Sequence, residues 1–175
     1  MSKELFVVLK PFSQENISKT FDFIQNSDLR KMFSMRGEPD LSNHIRHWEC
    51  VLNDAAQKVF AIYLGDNHLG NCGLKNIKND ESEFWIYIGD GNYRNKGFGK
   101  QAAEKLLNIA FSKYRLRKIY LYVLDFNAAA VNIYKLFGFK KIEMNDADKI
   151  IWHGRDDSII KMELTVEIYK NLSRR

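Results

Sequence analysis

Residues 84–100 read FWIYIGDGNYRNKGFGK, and this stretch decides the fold. An aromatic and β-branched run, typical of a strand, is followed by a polar turn and by a glycine-containing loop that opens an amphipathic helix. Backbone amides in the first turn of a helix have no intrahelical partner, and the helix dipole adds partial positive charge there. Residues 94–100 are therefore predicted to bind an anion, and the ligand should be polyanionic.

The loop differs from the two best-known nucleotide-binding motifs. Gly97 and Gly99 let a ligand approach the backbone closely, and three basic residues surround them: Arg94, Lys96 and Lys100. A dinucleotide fingerprint would need glycine in place of Arg94, and a P-loop would need Ser or Thr in place of Gln101. Neither nucleotide fold is supported, and a basic loop with a purely structural role is the remaining alternative.

Length and composition indicate one globular domain. The 175 residues are enough for one well-packed core, so residues 1–175 are expected to form a single domain. No apolar run approaches the roughly 20 residues that cross a bilayer, and the N-terminal apolar segment is too short for a signal peptide. We therefore expect cytoplasmic residence and no membrane partner. The formal charge of +5 suits an acidic ligand such as coenzyme A, a nucleotide or nucleic acid.

Hydrophobic patterns give the order strand, helices, three antiparallel strands, helix, strand, helix and hairpin. Strands are predicted at residues 5–9, 58–64, 69–77, 84–88 and 118–124. Two helices are predicted to begin after the capping residues Ser13 and Ser42, and three more are predicted at residues 28–33, 98–114 and 128–137. The final hairpin combines strands at 139–142 and 149–152, with 153–157 as the turn into 158–164.

The central strand has two different faces. Period two places Glu83, Trp85 and Tyr87 on one face, while the other face is apolar and should be core: Phe84, Ile86 and Ile88. The following helix and the strand at 118–124 complete a βαβ unit, so these two strands should be parallel with a right-handed crossover.

Two histidines lie three residues apart on one predicted helix. His44 and His47 lack a third ligand, so no metal site is expected, and exposed or core-edge histidines are favoured. A further interpretation is that this helix lines an acceptor pocket. Cys50 and Cys72 are isolated, which predicts reduced packing thiols.

Two motifs together resemble the GNAT N-acyltransferase superfamily. R-x-x-G-x-G occupies residues 94–99, and N-x-x-A-x-x-[LI]-Y-x-x-x-G-F is matched by Asn127, Ala130, Ile133, Tyr134, Gly138 and Phe139. The resemblance covers about residues 71–164. It implies a GNAT fold of the α/β (α+β) class, with a mixed central sheet of about seven strands splayed in a V and about four flanking helices.

The resemblance also implies a cofactor site. Acetyl-CoA or another acyl-CoA would lie in the V between 85–88 and 118–124, with its pyrophosphate on 94–99. The residues expected to bind it are Trp85, Ile86, Tyr87, Ile88, Arg94, Asn95, Lys96, Gly97, Phe98, Gly99, Lys100, Asn127, Ala130 and Tyr134. Tyr134 resembles the family's general acid for the leaving thiolate, and a packed core tyrosine is the alternative.

A base for the acceptor amine is less defined by the sequence. Glu83 is the first candidate because it lies on the central strand with Trp85 and Tyr87, and Glu81 and His47 follow. Proton loss through water is a further alternative, as is a merely solvated Glu83.

The acceptor is predicted from residues 123–139, VLDFNAAAVNIYKLFGF. They resemble the branch of ribosomal-protein N-terminal, polyamine and amino-sugar acyltransferases, and most of all the enzymes for nucleotide-linked amino sugars. This implies transfer of an acetyl or longer acyl group to such a sugar in a ternary complex, with His47, Trp48, Glu83 and Trp85 as substrate-binding residues. A small-molecule substrate is thus expected.

Other functions remain as alternatives. A polyamine would need carboxylates, which Glu38, Asp40 and Glu49 could supply, and a peptide N-terminus would need an open cleft. A basic nucleic-acid-binding module is the non-enzymatic alternative, but no such motif is present, so no nucleic acid partner is expected. The sequence leaves open whether the chain forms a homodimer.

Overall fold

The computed structural model describes residues 5–32, 35, 37–151 and 158–172. A seven-stranded mixed sheet runs in the order β1-β2-β3-β4-β5-β7-β6. Its strands are β1 Val8–Pro11, β2 Lys58–Leu64, β3 Asn67–Lys78, β4 Glu81–Ile88, β5 Lys118–Leu124, β6 Lys140–Ile142 and β7 Ile159–Thr165. Neighbouring strands are antiparallel except for β4 and β5, which are parallel. The predicted α/β class, the mixed seven-stranded sheet and the parallel central pair are confirmed.

The central parallel pair separates along its length. β4 and β5 pair from Glu81 and Lys118 to Glu83 and Tyr120. Beyond this point the described ladder stops, although β4 continues to Ile88 and β5 to Leu124. The sheet therefore opens as the expected V, and backbone groups along its two edges are available to a ligand.

Helices cover both faces of this sheet. They are α1 Asn16–Ile24, α2 Ser27–Met32, α3 Leu41–Leu52, α4 Phe98–Asn108, α5 Ala128–Leu136, α6 Asp146–Ile151 and α7 Val166–Leu172. A π-helical turn, Ile109–Lys113, extends α4. The described residues thus contain seven α-helices where about four were expected. The helices that the sequence did not predict are α6 and α7, whose six and seven residues are too few to show a clear helical period.

Two cores lie on opposite faces of β4. The larger one contains Phe84 and a ridge of buried side chains, spaced four residues apart along α4 and its π-helical extension: Phe98, Ala102, Leu106 and Ala110. The smaller one contains Trp48 stacked on Phe12, with Trp85 packed against it. Alternation along β4 therefore places its even-numbered side chains toward α4 and its odd-numbered ones toward α1 and α3.

The predicted strand at 149–152 is wrong over its described part. Residues 149–151 belong to α6, and residue 152 and the predicted turn at 153–157 lie outside the described residues. The cause is a capping box: the Asp148 amide donates to Asn145 Oδ1, and the Asn145 amide donates to Asp148 Oδ2, both at 2.9 Å. β6 pairs with β7 instead.

Three element starts also differ from the sequence prediction. β1 begins at Val8, and Leu5 is exposed. Ser13 does not cap α1, because the helix begins at Asn16 with Glu15 in the N-cap position, and the Ser13 amide instead donates to Asn16 Oδ1 at 2.9 Å. Asp40, rather than Ser42, caps α3 by accepting a hydrogen bond from the Asn43 amide at 2.8 Å. The helix predicted at 28–33 is α2, and residue 33 lies outside the described residues.

Candidate active site

A cavity of about 530 Å³ occupies the opening between β4 and β5. Both faces of β4 line it, with Phe84, Ile86 and Ile88 on one side and the odd-numbered residues 83, 85 and 87 on the other. Since successive side chains of a strand point to opposite faces, the cavity lies at the exposed edge of β4 and is lined from both faces of the sheet. We call its two halves the α4 side and the α1 side.

The loop predicted to bind an anion closes one end of the α4 side. Gly97 has φ +84°, and a Cβ there would meet nothing within 4 Å, so the position favours glycine for its backbone conformation and not for space. Arg94 donates from Nε to the Ile88 carbonyl at 2.9 Å and from Nη2 to the Gly89 carbonyl at 3.0 Å. Arg94 therefore ties the loop to the end of β4.

Most residues predicted to bind the cofactor surround this cavity. Those that line it are Trp85, Ile86, Tyr87, Ile88, Arg94, Asn95, Gly97, Gly99, Lys100, Asn127, Ala130 and Tyr134. Two predicted residues do not. Phe98 is buried in the larger core, and the ammonium of Lys96 lies 5.9 Å from the centre of the Tyr93 ring. Their roles in binding stay predictions without support from the cavity lining.

Tyr134 reaches the α4 side of the cavity from α5. Asn127 caps this helix by accepting a hydrogen bond from the Ala130 amide at 3.3 Å, which fixes where α5 begins. The Tyr134 ring packs against Phe84 and Phe139 and is 9% exposed. Within the described part of the chain, no hydrogen bond holds its hydroxyl. Burial raises the pKa of Tyr134, so the phenol keeps its proton at neutral pH.

Glu83 lies where β4 and β5 separate. Its carboxylate is held by two neighbours on β3: Lys75 Nζ lies 2.9 Å from Oε1, and Asn76 Nδ2 donates to Oε2 at 3.3 Å. Asn76 has φ +56°, and the pairing of β3 with β4 shifts register between Lys75 and Lys78. Lys75 pairs directly opposite Glu83, and the irregularity that follows it, a β-bulge, brings Asn76 to the same carboxylate.

Aromatic rings form the wall of the α1 side. Trp85 and Tyr87 stack at 6.1 Å, and a Cβ on Gly73 would lie 2.9 Å from the indole, so glycine at 73 makes room for that ring. Asn71 Nδ2 donates to the Tyr87 hydroxyl at 2.6 Å, and burial raises the pKa of Tyr87. Leu29 and Met32 of α2 complete this wall.

The predicted acceptor residues on α3 lie outside the cavity lining. Trp48 is 6% exposed and stacks on Phe12 with ring centres 4.3 Å apart. Its indole faces are thus packed in the smaller core. His47 is exposed; partial burial and the charge of Lys75 lower the pKa of its imidazole. The cavity thus brings together Glu83 and Trp85 of the four predicted substrate residues, but not His47 and Trp48.

His44 differs from His47 in its surroundings. It is buried, and its Nε2 lies 3.2 Å from the Ile17 carbonyl. Among the described residues, no three His, Cys, Asp or Glu side chains come together as ligands for a metal ion. None of the described helices is long and apolar enough to span a bilayer.

Sequence reasoning missed a polar cluster on the α1 side. Tyr122 of β5 lines the cavity and its hydroxyl donates to Asp148 at 2.5 Å. Lys161 bonds the same carboxylate at 2.8 Å. Burial alone would raise the pKa of Asp148, but bonds from Lys161, Tyr122 and the Asn145 amide hold it below its usual value. The spacing of Asn145 and Asp148 was the signal that the sequence offered for this cluster.

The splayed strands, the basic loop at a helix start and the buried tyrosine define an acyl-CoA-dependent transferase. Residues 7–140 match the acetyltransferase (GNAT) domain family, so the chain belongs to the GNAT acetyltransferases. It is therefore an N-acetyltransferase that uses acetyl-CoA.

Solved structures share this fold. Spermidine N-acetyltransferase from Vibrio cholerae in complex with CoA and spermine is 20% identical, with a TM-score of 0.81 over 94% of this chain and 98% of that one. A domain from Methanocaldococcus jannaschii DSM 2661 is 16% identical, with a TM-score of 0.76 over 93% of this chain and all of that one. At these identities the likeness concerns the fold alone. No curated protein matches the chain significantly.

Proposed function

We propose that this N-acetyltransferase acetylates the amine of a nucleotide-linked amino-deoxy sugar by direct attack in a ternary complex. The observation that carries the proposal is the cavity between the separated strands β4 and β5. Residues from both faces of β4 line it, so an acyl donor on the α4 side and an acceptor on the α1 side could meet where the strands separate. Residues 123–139 add the resemblance to enzymes for amino-sugar nucleotides.

Acetyl-CoA supplies an activated acetyl thioester, and the α4 side fits such a molecule. Residues 97–100 offer amides at the start of α4, and Arg94 and Lys100 add positive charge, as a diphosphate requires. Beyond Glu83 the edge of β4 that faces β5 pairs with no strand of the described residues, so it offers backbone groups to an extended amide-containing arm. These residues would hold the donor so that its thioester lies near Tyr134.

Two side chains at the strand separation have complementary proton chemistry. Glu83 is a carboxylate that can take a proton from the attacking amine, whereas Tyr134 is a neutral phenol that can give one to the leaving thiolate. A thiolate in a poorly hydrated cavity is destabilised, as a phenolate is, so burial raises the proton affinity of both groups. Donation from Tyr134 to sulfur therefore remains feasible.

A polyamine is the second candidate acceptor. The likeness in fold to a spermidine N-acetyltransferase favours it, as does the buried carboxylate of Glu83. The acids expected to bind further amines are partly engaged elsewhere, because Glu38 lies 3.5 Å from Arg30 and Asp40 caps α3. Lys75 on the α1 side would also repel a second ammonium.

Release of free thiol from acetyl-CoA tests the acceptor. The panel contains amino-sugar nucleotides, spermidine and peptides with free N-termini, each at the same concentration. We expect turnover with an amino-sugar nucleotide at a kcat/KM well above that for the other amines. Turnover of spermidine alone would establish the polyamine alternative and end the sugar proposal.

A further inference from the structure

An ion pair on the α1 side of the cavity joins a mostly buried side chain to a partly exposed one. Lys75 Nζ lies 2.9 Å from Glu83 Oε1, and the side chain of Glu83 is 11% exposed whereas that of Lys75 is 41% exposed. The carboxylate therefore lies inside and the ammonium lies toward the opening. An ammonium has three donors, so Lys75 can bind Glu83 and a ligand together.

The proton transfer leaves a charge to be balanced. Before the reaction, Glu83 faces two cations, Lys75 and the ammonium of the acceptor. When Glu83 takes a proton from the amine, its own negative charge disappears and Lys75 keeps its positive charge. Glu83 is the one acidic side chain among the described residues that line the cavity. In both states the α1 side carries a net positive charge from Lys75 and the acceptor, which favours an anionic group beside them.

We propose that Lys75 binds an oxyanion of the acceptor and thereby selects amines that carry a phosphate or carboxylate near the reacting nitrogen. This inference rests on the proposed function, in which Glu83 receives the amine on the α1 side. A nucleotide-linked amino sugar provides such an oxyanion in its diphosphate, whereas a polyamine places a second cation there.

The test replaces Lys75 by methionine and by glutamate, with Lys78→Met as the matched control. Lys78 is an exposed lysine of the same strand and does not line the cavity. The acceptors are one amino sugar with and without its nucleoside diphosphate, and spermidine. Lys75→Met should raise the KM for the nucleotide-linked sugar about tenfold or more, because it removes a charged hydrogen bond. The KM for the free sugar should stay unchanged.

Lys75→Glu should go further and favour spermidine over the nucleotide-linked sugar. Titration with acetyl-CoA should give the same Kd for all variants, which shows that the fold and the donor side are intact. The inference is overturned if Lys75→Met changes the KM of both sugars alike, or if Lys78→Met has the same effect.

A competition experiment separates this inference from the proposed function. Inorganic pyrophosphate is added at saturating acetyl-CoA, and its inhibition is measured against whichever amine the enzyme turns over. Turnover of spermidine but of no amino-sugar nucleotide would refute the proposed function alone. Competition by pyrophosphate against the amine, weakened about tenfold in Lys75→Met, would still support an oxyanion site at Lys75. Equal inhibition of both proteins, or none, would overturn it.

Discussion

Replacing Tyr134 by phenylalanine should separate catalysis from stability. Within the described residues no hydrogen bond holds the Tyr134 hydroxyl, so its removal deletes no internal bond, and the free energy of unfolding should fall by less than about 1 kcal/mol or rise. General acids contribute about 100-fold to 10,000-fold to rate, so kcat should fall at least about 100-fold. The Kd for acetyl-CoA should change little, because the aromatic ring remains.

Urea unfolding, acetyl-CoA titration and thiol release measure these three quantities, and Tyr63→Phe is the control. The Tyr63 hydroxyl accepts a hydrogen bond from Asn16 Nδ2 at 2.8 Å, and Asn16 is 5% exposed. This variant should lose about 1–3 kcal/mol of stability at unchanged kcat, the opposite pattern. An unaltered kcat in Tyr134→Phe, or a stability loss like that of Tyr63→Phe, would refute the role as general acid.

Two further variants test the loop and the missed polar cluster. Gly97→Glu should weaken acetyl-CoA binding at least about 100-fold, because a carboxylate beside a diphosphate costs several kcal/mol. Gly65→Glu is the control: Gly65 has φ +58° in an open turn, so this variant has a similar backbone strain but should keep its affinity for acetyl-CoA. Asp148→Asn should lower the free energy of unfolding by about 3–5 kcal/mol at pH 7, because Lys161 would remain buried without its carboxylate partner. Asp66→Asn, in an exposed turn, is the control and should leave the free energy of unfolding nearly unchanged. Folding lowers the pKa of Asp148, so this carboxylate stabilises the fold fully above the ordinary carboxyl pKa, and the stabilisation is lost as pH falls through the pKa of the folded state. Urea unfolding between pH 7 and pH 3 measures this loss. Retained acetyl-CoA affinity in Gly97→Glu, or equal stability losses in the two aspartate variants, would contradict these assignments.

Local sequence patterns predicted the central part of the fold. The alternation at 83–88 and the ridge from Phe98 to Ala110 each depend on a period that the residues themselves display. The parallel pairing of β4 with β5 followed from the helix that connects them, because parallel strands need a crossover connection. These features depend on residues close together in the chain, so they can be predicted without knowledge of distant contacts.

The α1 side of the cavity depends on distant contacts instead. Lys75 meets Glu83 through the pairing of β3 with β4, and Asn76 meets it through the bulge that follows, which leaves no periodic trace in the sequence. Trp48 was expected at the acceptor, but the stacking with Phe12 that buries it joins residues 36 positions apart in the chain. The Asn145–Asp148 capping box was readable, yet the β-branched residues after it favoured a strand.

A crystal structure with bound coenzyme A tests the central assignment most directly. The account predicts that the diphosphate accepts hydrogen bonds from amides of residues 97–100 and that the sulfur lies within hydrogen-bond distance of the Tyr134 hydroxyl. A diphosphate bound away from this loop, or a sulfur on the far side of Trp85, would contradict it.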